Sequence, residues 1–213
     1  MEFLGLIALL ISLINTAYLA FDNILTKRRN AEKEKANRSE ITFNSDDIDA
    51  LTGIYNKGAF SEKVKEALES MEEGTVGALY VIDLCSFKKV NEALGRATGD
   101  LILEDVAKKL CIIFSQMDIV GRIGGDDFGA FLKLSPKGSA IAEDLIEEKA
   151  KAIVSNLNEM YRFQEKEAQV FGNVGVSKVN TKNVSFIDLY READANLYSA
   201  KEKGLGEFVI SGK

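Results

Sequence analysis

With 213 residues, 46% of them hydrophobic and 28% charged, the chain has the balance of one folded domain with an appendage, not that of a disordered polymer. It contains no histidine, which excludes Ser-His-Asp and Cys-His nucleophile systems, histidine acid–base catalysis and histidine-ligated zinc; any chemistry must rest on carboxylates, Lys, Arg or a metal ion. The net charge is −6, and because residues 1–43 carry six basic and five acidic side chains, the remainder stands at −7. That acidity argues against a nucleic-acid partner.

Taken in order, the chain opens on an uncharged, mostly apolar run from Phe3 to Phe21. Its 19 residues match roughly the 30 Å hydrocarbon core of a bilayer at ~1.5 Å per helical residue. Glu2 precedes it, and Lys27, Arg28 and Arg29 follow. That charge order is the reverse of a signal peptide's and places the N-terminus outside and the rest in the cytoplasm. The expectation is a transmembrane anchor over residues 1–21 that meets the lipid bilayer through residues 3–21. The protein is then a single-pass protein of the cell (inner or plasma) membrane. Residues 22–43, rich in Lys, Arg, Glu and Ala, read as a solvated helical linker, and a Ser/Asp cluster after Asn44 begins a domain over residues 44–213.

Within that domain Leu51–Asn56 reads as a loop, followed by a helix with Phe60, Val64 and Leu68 at helical spacing. Val76–Asp83 is a nearly continuous apolar run ending in an acid, the pattern of a buried central strand. Ser86–Leu94 predicts a short helix. Gly95 and Gly99 are expected to break the chain before a second helix over Asp100–Phe114. Ala140–Tyr161 predicts a long helix and Ala168–Val179 a strand. Ser185 is a candidate cap for a helix running to about Lys203, and Glu207–Ile210 a last edge strand. The resulting order, β-α-α-β-β-α-β-α-β after the opening helix, favours an α+β fold over a doubly wound parallel sheet.

The candidate chemistry gathers at Arg122-Ile123-Gly124-Gly125-Asp126-Asp127-Phe128. Flanked by Asp118–Val120 and Phe128–Leu132, it reads as a β-hairpin. Its adjacent acids can hold a hard cation, although Gly-Asp pairs equally make plain turns. Asp83, at the end of the central strand, brings a third carboxylate if the hairpin is its neighbour. Such a cluster would repel itself without a cation, and Mg²⁺ bridging carboxylates and a nucleotide triphosphate is the natural partner. The helix start after Asp83 offers free N–H groups suited to phosphate. Lys88 there is either an added phosphate contact or solvated surface.

Five stretches then match one family in order: Leu51-Thr52-Gly53-Ile54-Tyr55-Asn56; Asp83 through Asn91 with Phe87 and Lys88; Gly95 with Gly99-Asp100; Arg122 through Phe128; and Ala193-Asp194, Leu197-Tyr198, Ala200-Lys201 and Gly204. Over residues 44–213 the chain resembles the GGDEF-domain (diguanylate cyclase) family. The resemblance implies a palm-like nucleotide-cyclase fold with a central, mostly antiparallel sheet and flanking helices. It also implies a reaction in which two GTP molecules, one on each subunit of a homodimer, condense to cyclic di-GMP and release pyrophosphate. It implies that Asp83, Asp126, Asp127 and the Leu84 carbonyl hold Mg²⁺, with Mn²⁺ as an alternative, and that Asp127 and Asp126 are catalytic. Ser86, Phe87, Lys88, Gly124, Gly125 and Lys201 would bind the phosphates, and Asn91 and Asp100 the guanine. A carboxylate can accept both N1–H and N2–H of guanine, a donor pair adenine lacks; Asp100 also reads as a helix N-cap after Gly99.

The chain departs from the family pattern at five places. Asp127 stands where Glu is usual, Cys85 replaces a second acid, Arg96 a histidine, Leu205 a basic residue, and Ser115 the Arg of the product-inhibition motif, here Ser115-Gln116-Met117-Asp118. The last change predicts no feedback inhibition through that site. A catalytically impaired GGDEF module that binds GTP or a protein partner is the alternative reading.

Overall fold

The structure is a computed structural model and describes residues 45–134, 141–180 and 184–212. The expected transmembrane helix over residues 1–21 and the linker over 22–43 lie outside these. A 3₁₀ turn, Ser45–Asp47, leads to α1 (Lys57–Glu69), β1 (Val76–Leu84), α2 (Phe87–Leu94), α3 (Arg96–Ile113), β2 (Ile119–Arg122) and β3 (Asp127–Leu134). Then come α4 (Ala142–Leu157), β4 (Glu159–Phe163), β5 (Lys166–Val170), β6 (Gly172–Val179), α5 (Phe186–Lys203) and β7 (Phe208–Gly212).

Five strands form one sheet in the order β2-β3-β1-β6-β7. All pairs are antiparallel except β6 with β7. β1 is central, which explains its continuous apolar run: both of its faces are covered. Ala78, Tyr80, Ile82 and Leu84 pack in a cluster with side chains of α2, α3 and α4, whereas Leu79 and Val81 meet Phe60, Val64 and Leu68 of α1 and Leu189, Ala193 and Leu197 of α5. α5 lies close on β6, since a Cβ at Gly175 would fall 2.0 Å from the Ala193 carbonyl oxygen. Ser185 caps α5 by accepting from the Asp188 N–H at 3.1 Å, as its position predicts.

Three expectations need correcting. Gly95, at φ 87°, ends α2, but Gly99 does not interrupt the chain: α3 begins at Arg96. Asp100 is therefore inside a helix and is not its cap. The long helix stops at Leu157, and the single strand expected over Ala168–Val179 is two strands parted at Phe171. Between them lies an unforeseen β4–β5 hairpin, turning at Gln164 and Glu165. Gln164 adopts φ 56° without the Gly, Asn or Asp that normally marks such a turn. Both strands are largely exposed, so neither shows apolar alternation.

Candidate nucleotide site

β1 and β3 run in a register that sets Asp83 directly opposite Asp127. The Leu84 N–H donates to the Asp126 carbonyl at 3.2 Å, which ties the hairpin tip to the end of β1. The three acids are thus neighbours. Like charges facing each other across strands repel, and the site answers with Lys201, whose Nζ lies 2.7 Å from Asp83 Oδ1. Burial, and then the charges of Asp83 and Asp126, push the Asp127 carboxyl up to about 6. Among the described residues no three carboxylates or thiols converge on one ligating point. In chemistry, Asp83, Asp126 and Asp127 offer the oxygen donors a hard divalent ion takes, with Lys201 balancing one of the three charges.

After Asp83 the chain turns sharply. Ser86 takes the left-handed conformation at φ 59° and puts no side-chain cap on α2. The Lys89 N–H donates to the Ser86 carbonyl at 2.8 Å, and the N–H groups of Phe87 and Lys88 stand at the start of α2, ahead of any intrahelical partner.

Two cavities adjoin here. One, of ≈380 Å³, is bordered by Asp83, Leu84, Ser86, Asp126, Asn173 and Lys201. The other, of ≈360 Å³, is bordered by Asn91, Arg96, Asp100, Leu103, Arg122 and Gly125. Phe87, Lys88 and Asp126 border both. The predicted residues thus separate into an acidic end and a polar end joined through Phe87 and Lys88. Gly99 makes the polar end possible, since a Cβ there would sit 1.8 Å from Asn91 Oδ1.

Asp127 and Gly124 border neither cavity. The Asp127 carboxylate leans over Gly124 instead, where a Cβ would meet Asp127 Oδ2 at 2.4 Å. The sequence suggested that the hairpin glycines exist to admit a ligand. Gly124 is required by Asp127, and only Gly125 has open space where its Cβ would be.

Two groups that hold the site were missed in the sequence. Arg122 donates through Nη2 to the Gly125 carbonyl at 2.7 Å and through Nη1 to Asp49 Oδ1 at 3.2 Å. Asp49 also accepts from the Thr52 N–H and hydroxyl at 2.9 and 2.7 Å. Burial opposes ionisation of Asp49, but these bonds outweigh it and hold the carboxyl below its ordinary range. The Leu51–Asn56 loop is therefore a brace for the hairpin tip. The second group is Asn173, fully buried on β6. Its Oδ1 accepts from the Cys85 thiol and the Gly206 N–H, both at 2.9 Å, and its Nδ2 donates to the Gly204 carbonyl at 2.8 Å. An asparagine inside the apolar run Phe171–Val176 was the available signal. Where the family's feedback motif would lie, Asp118 accepts from the Ser115 N–H and hydroxyl at 2.8 and 2.9 Å, so its carboxylate closes a local turn.

The family described as diguanylate cyclase, GGDEF domain, matches residues 46–207. The chain belongs to the GGDEF family. Cyclic di-GMP phosphodiesterase PdeR of Escherichia coli is 30% identical to this GGDEF chain over 186 residues, 87% of the chain and 26% of PdeR. Probable diguanylate cyclase DgcE of the same organism is 28% identical over 76% of the chain and 14% of its own length. The chain thus spans only a minor part of these curated relatives. The GGDEF domain of DgcB from Caulobacter crescentus, solved in complex with c-di-GMP, aligns with a TM-score of 0.69 at 21% identity, covering 81% of this chain and 96% of that one. Diguanylate cyclase SiaD of Pseudomonas aeruginosa, solved with its activator SiaC, aligns at 0.68 and 22% identity, covering 94% and 76%. At these identities the likeness bears on the fold, and it agrees with the mostly antiparallel sheet and flanking helices.

Proposed function

We propose that this chain is a membrane-anchored diguanylate cyclase that condenses two GTP molecules into cyclic di-GMP and releases pyrophosphate across a homodimer. The observation that carries the reading is the pair of adjoining cavities, one acidic and one polar, sharing Phe87, Lys88 and Asp126. Guanine sits at the polar end, with Asp100 accepting from N1–H and N2–H and Asn91 beside it. The phosphates run toward Ser86, Phe87 and Lys88, where the first N–H groups of α2 and the Lys88 charge receive them. Lys201 moves from Asp83 to phosphate when the nucleotide binds, and Gly125 gives room for the hairpin to lie along it.

Asp83, the Leu84 carbonyl and Asp126 would hold Mg²⁺ or Mn²⁺, and Asp127 would serve a second ion; a divalent cation held there would supply Lewis-acid charge stabilisation at the phosphate. Asp127 accepts the proton of the attacking 3′-hydroxyl, and a second copy of the chain supplies the other GTP. Phe3–Phe21 anchors the protein in the cell membrane, with the domain on the cytoplasmic side.

The position of Asp127 supports a second reading. Its carboxylate leans toward Gly124 and borders neither cavity, which favours a module that binds GTP and turns it over slowly or not at all. Incubating the full chain with GTP and Mg²⁺ tests both readings. Cyclic di-GMP and pyrophosphate in a 1:2 ratio are expected, and GTP binding without product selects the second. A cytoplasm-dependent reporter fused after residue 213 tests the orientation and is expected to be active.

A further inference from the structure

Two guanidinium groups border the polar cavity, and they are placed very differently. Arg122 is spent on Asp49 and the Gly125 carbonyl. Arg96 is exposed, and among the described residues it has no hydrogen bond or ion pair. It is the first residue of α3, where a cation opposes the helix dipole. It also stands one helical turn before Asp100, at a spacing that puts both side chains on one face of the helix. Other i,i+4 pairs of this protein close, such as Lys109 with Asp105 at 2.8 Å and Lys151 with Glu147 at 2.6 Å. Arg96 and Asp100 do not. Both remain available at the border of the same cavity, beside Asn91 and the apolar Phe87 and Leu103.

We propose that Arg96 is a specificity-determining residue that reads the O6/N7 edge of the guanine held by Asp100. The inference rests on the reading of this cavity as a guanine site. Guanine presents N1–H and N2–H donors on one edge and the acceptors O6 and N7 on the other. A carboxylate matches the first edge and a forked guanidinium the second. Arg96 and Asp100, one turn apart, hold these complementary charges along one helix face. Adenine would put its N6 donors toward the guanidinium and offer the carboxylate no donor pair, so the two residues reject it together.

The test is equilibrium binding of GDP and 7-deaza-GDP to the full chain and to Arg96→Ala. GDP keeps the guanine and cannot form the cyclic product, and the 7-deaza analogue lacks only the N7 acceptor. Arg96 is exposed at a helix start, where Ala is well tolerated, and unchanged thermal melting verifies the variant's fold. The wild type is expected to bind GDP roughly 10-fold more tightly than 7-deaza-GDP, the scale of one bidentate base contact. Arg96→Ala is expected to lose that preference and to bind GDP more weakly by the same factor. A wild type that binds both ligands equally, or a variant that weakens both equally and so keeps the ratio, overturns the inference while leaving the guanine site standing. A wild type that binds neither overturns the site and the inference together.

Discussion

The two ends of the cleft are built on opposite principles. At the polar end Asn91, Arg96 and Asp100 belong to α2 and α3, two helices joined at Gly95, and among the described residues no hydrogen bond or ion pair holds their side chains. At the acidic end the groups are engaged with one another: Lys201 neutralises Asp83, and the Asp127 carboxyl is pushed up to about 6 by burial and by Asp83 and Asp126. A base can therefore dock on groups already in place, at little cost of reorganisation. A cation must displace a lysine and a proton first. Binding and turnover are thus separable in this chain, and single substitutions should move one without the other.

The largest expected effect is at Asp127. One added methylene in Asp127→Glu lets the carboxylate reach past Gly124 toward the acidic cavity. Because a misplacement near 1 Å costs roughly 10²-fold in rate, product formation from GTP and Mg²⁺ should rise by about that factor, with GDP affinity unchanged. No gain in pyrophosphate release would show that the length of this side chain is not what limits the acidic end. The polar end has its own counterpart in Gly99→Ala. The new methyl would occupy the place of Asn91 Oδ1 and drive that side chain from the cavity, weakening GDP binding by roughly 10-fold, the value of one or two hydrogen bonds. Alanine gains about 1 kcal/mol of helix propensity over glycine, so melting should hold or rise while affinity falls. A parallel loss of both would mean that α2 and α3 had been forced apart.

The acidic end alone should respond to pH. The second cation of the proposed site would use the Asp127 carboxylate, and below about pH 6 that group carries a proton. Cation affinity should therefore climb by up to about tenfold per pH unit below 6, where one proton leaves per ion bound, and flatten above it. Asp127→Asn should remove the slope, and calorimetric titrations of the two proteins across pH 5–8 check it. The sign for stability is the reverse. The folded value of Asp127 lies above its reference of 3.8, so its contribution to stability is complete below that reference and disappears as pH rises through about 6. Cation-free protein should lose melting temperature from this source over that window, and Mg²⁺ should restore it.

The two ends were legible to different degrees, for a physical reason. Asn91 and Asp100 entered through the family resemblance, and Gly99 suggested a chain break that the helix Arg96–Ile113 runs straight through, because a glycine that makes room for a neighbouring side chain looks the same in sequence as one that ends a helix. β1 was plain, because burial on both faces leaves an unbroken apolar run. Lys201 was expected on phosphate but forms an ion pair with Asp83, and this depends on how α5 packs on β6, which no local pattern reports. Asp126 was placed correctly at the tip, whereas the turn of Asp127 onto Gly124 is a side-chain choice inside a hairpin. Arg122 reaches Asp49, 73 positions away, and Asn173 reaches Cys85, 88 positions away, beyond the range of any periodicity.

Asn173 supplies the smallest effect and the finest test of the division. It joins the turn after β1, through Cys85, to the Gly204–Gly206 loop, through Gly204 and Gly206; Gly204 and Leu205 border the acidic cavity only. Asn173→Ala leaves the Gly204 carbonyl and Gly206 N–H without their partner. At ~2 kcal/mol for such a buried loss, melting should fall by about 4–8 °C. If the loop is a phosphate-side element, GDP affinity should drop severalfold while guanosine affinity stays put, because the base end does not pass through Asn173. An equal loss for guanosine would mean that the two ends share one framework, and the separation drawn between them would fail.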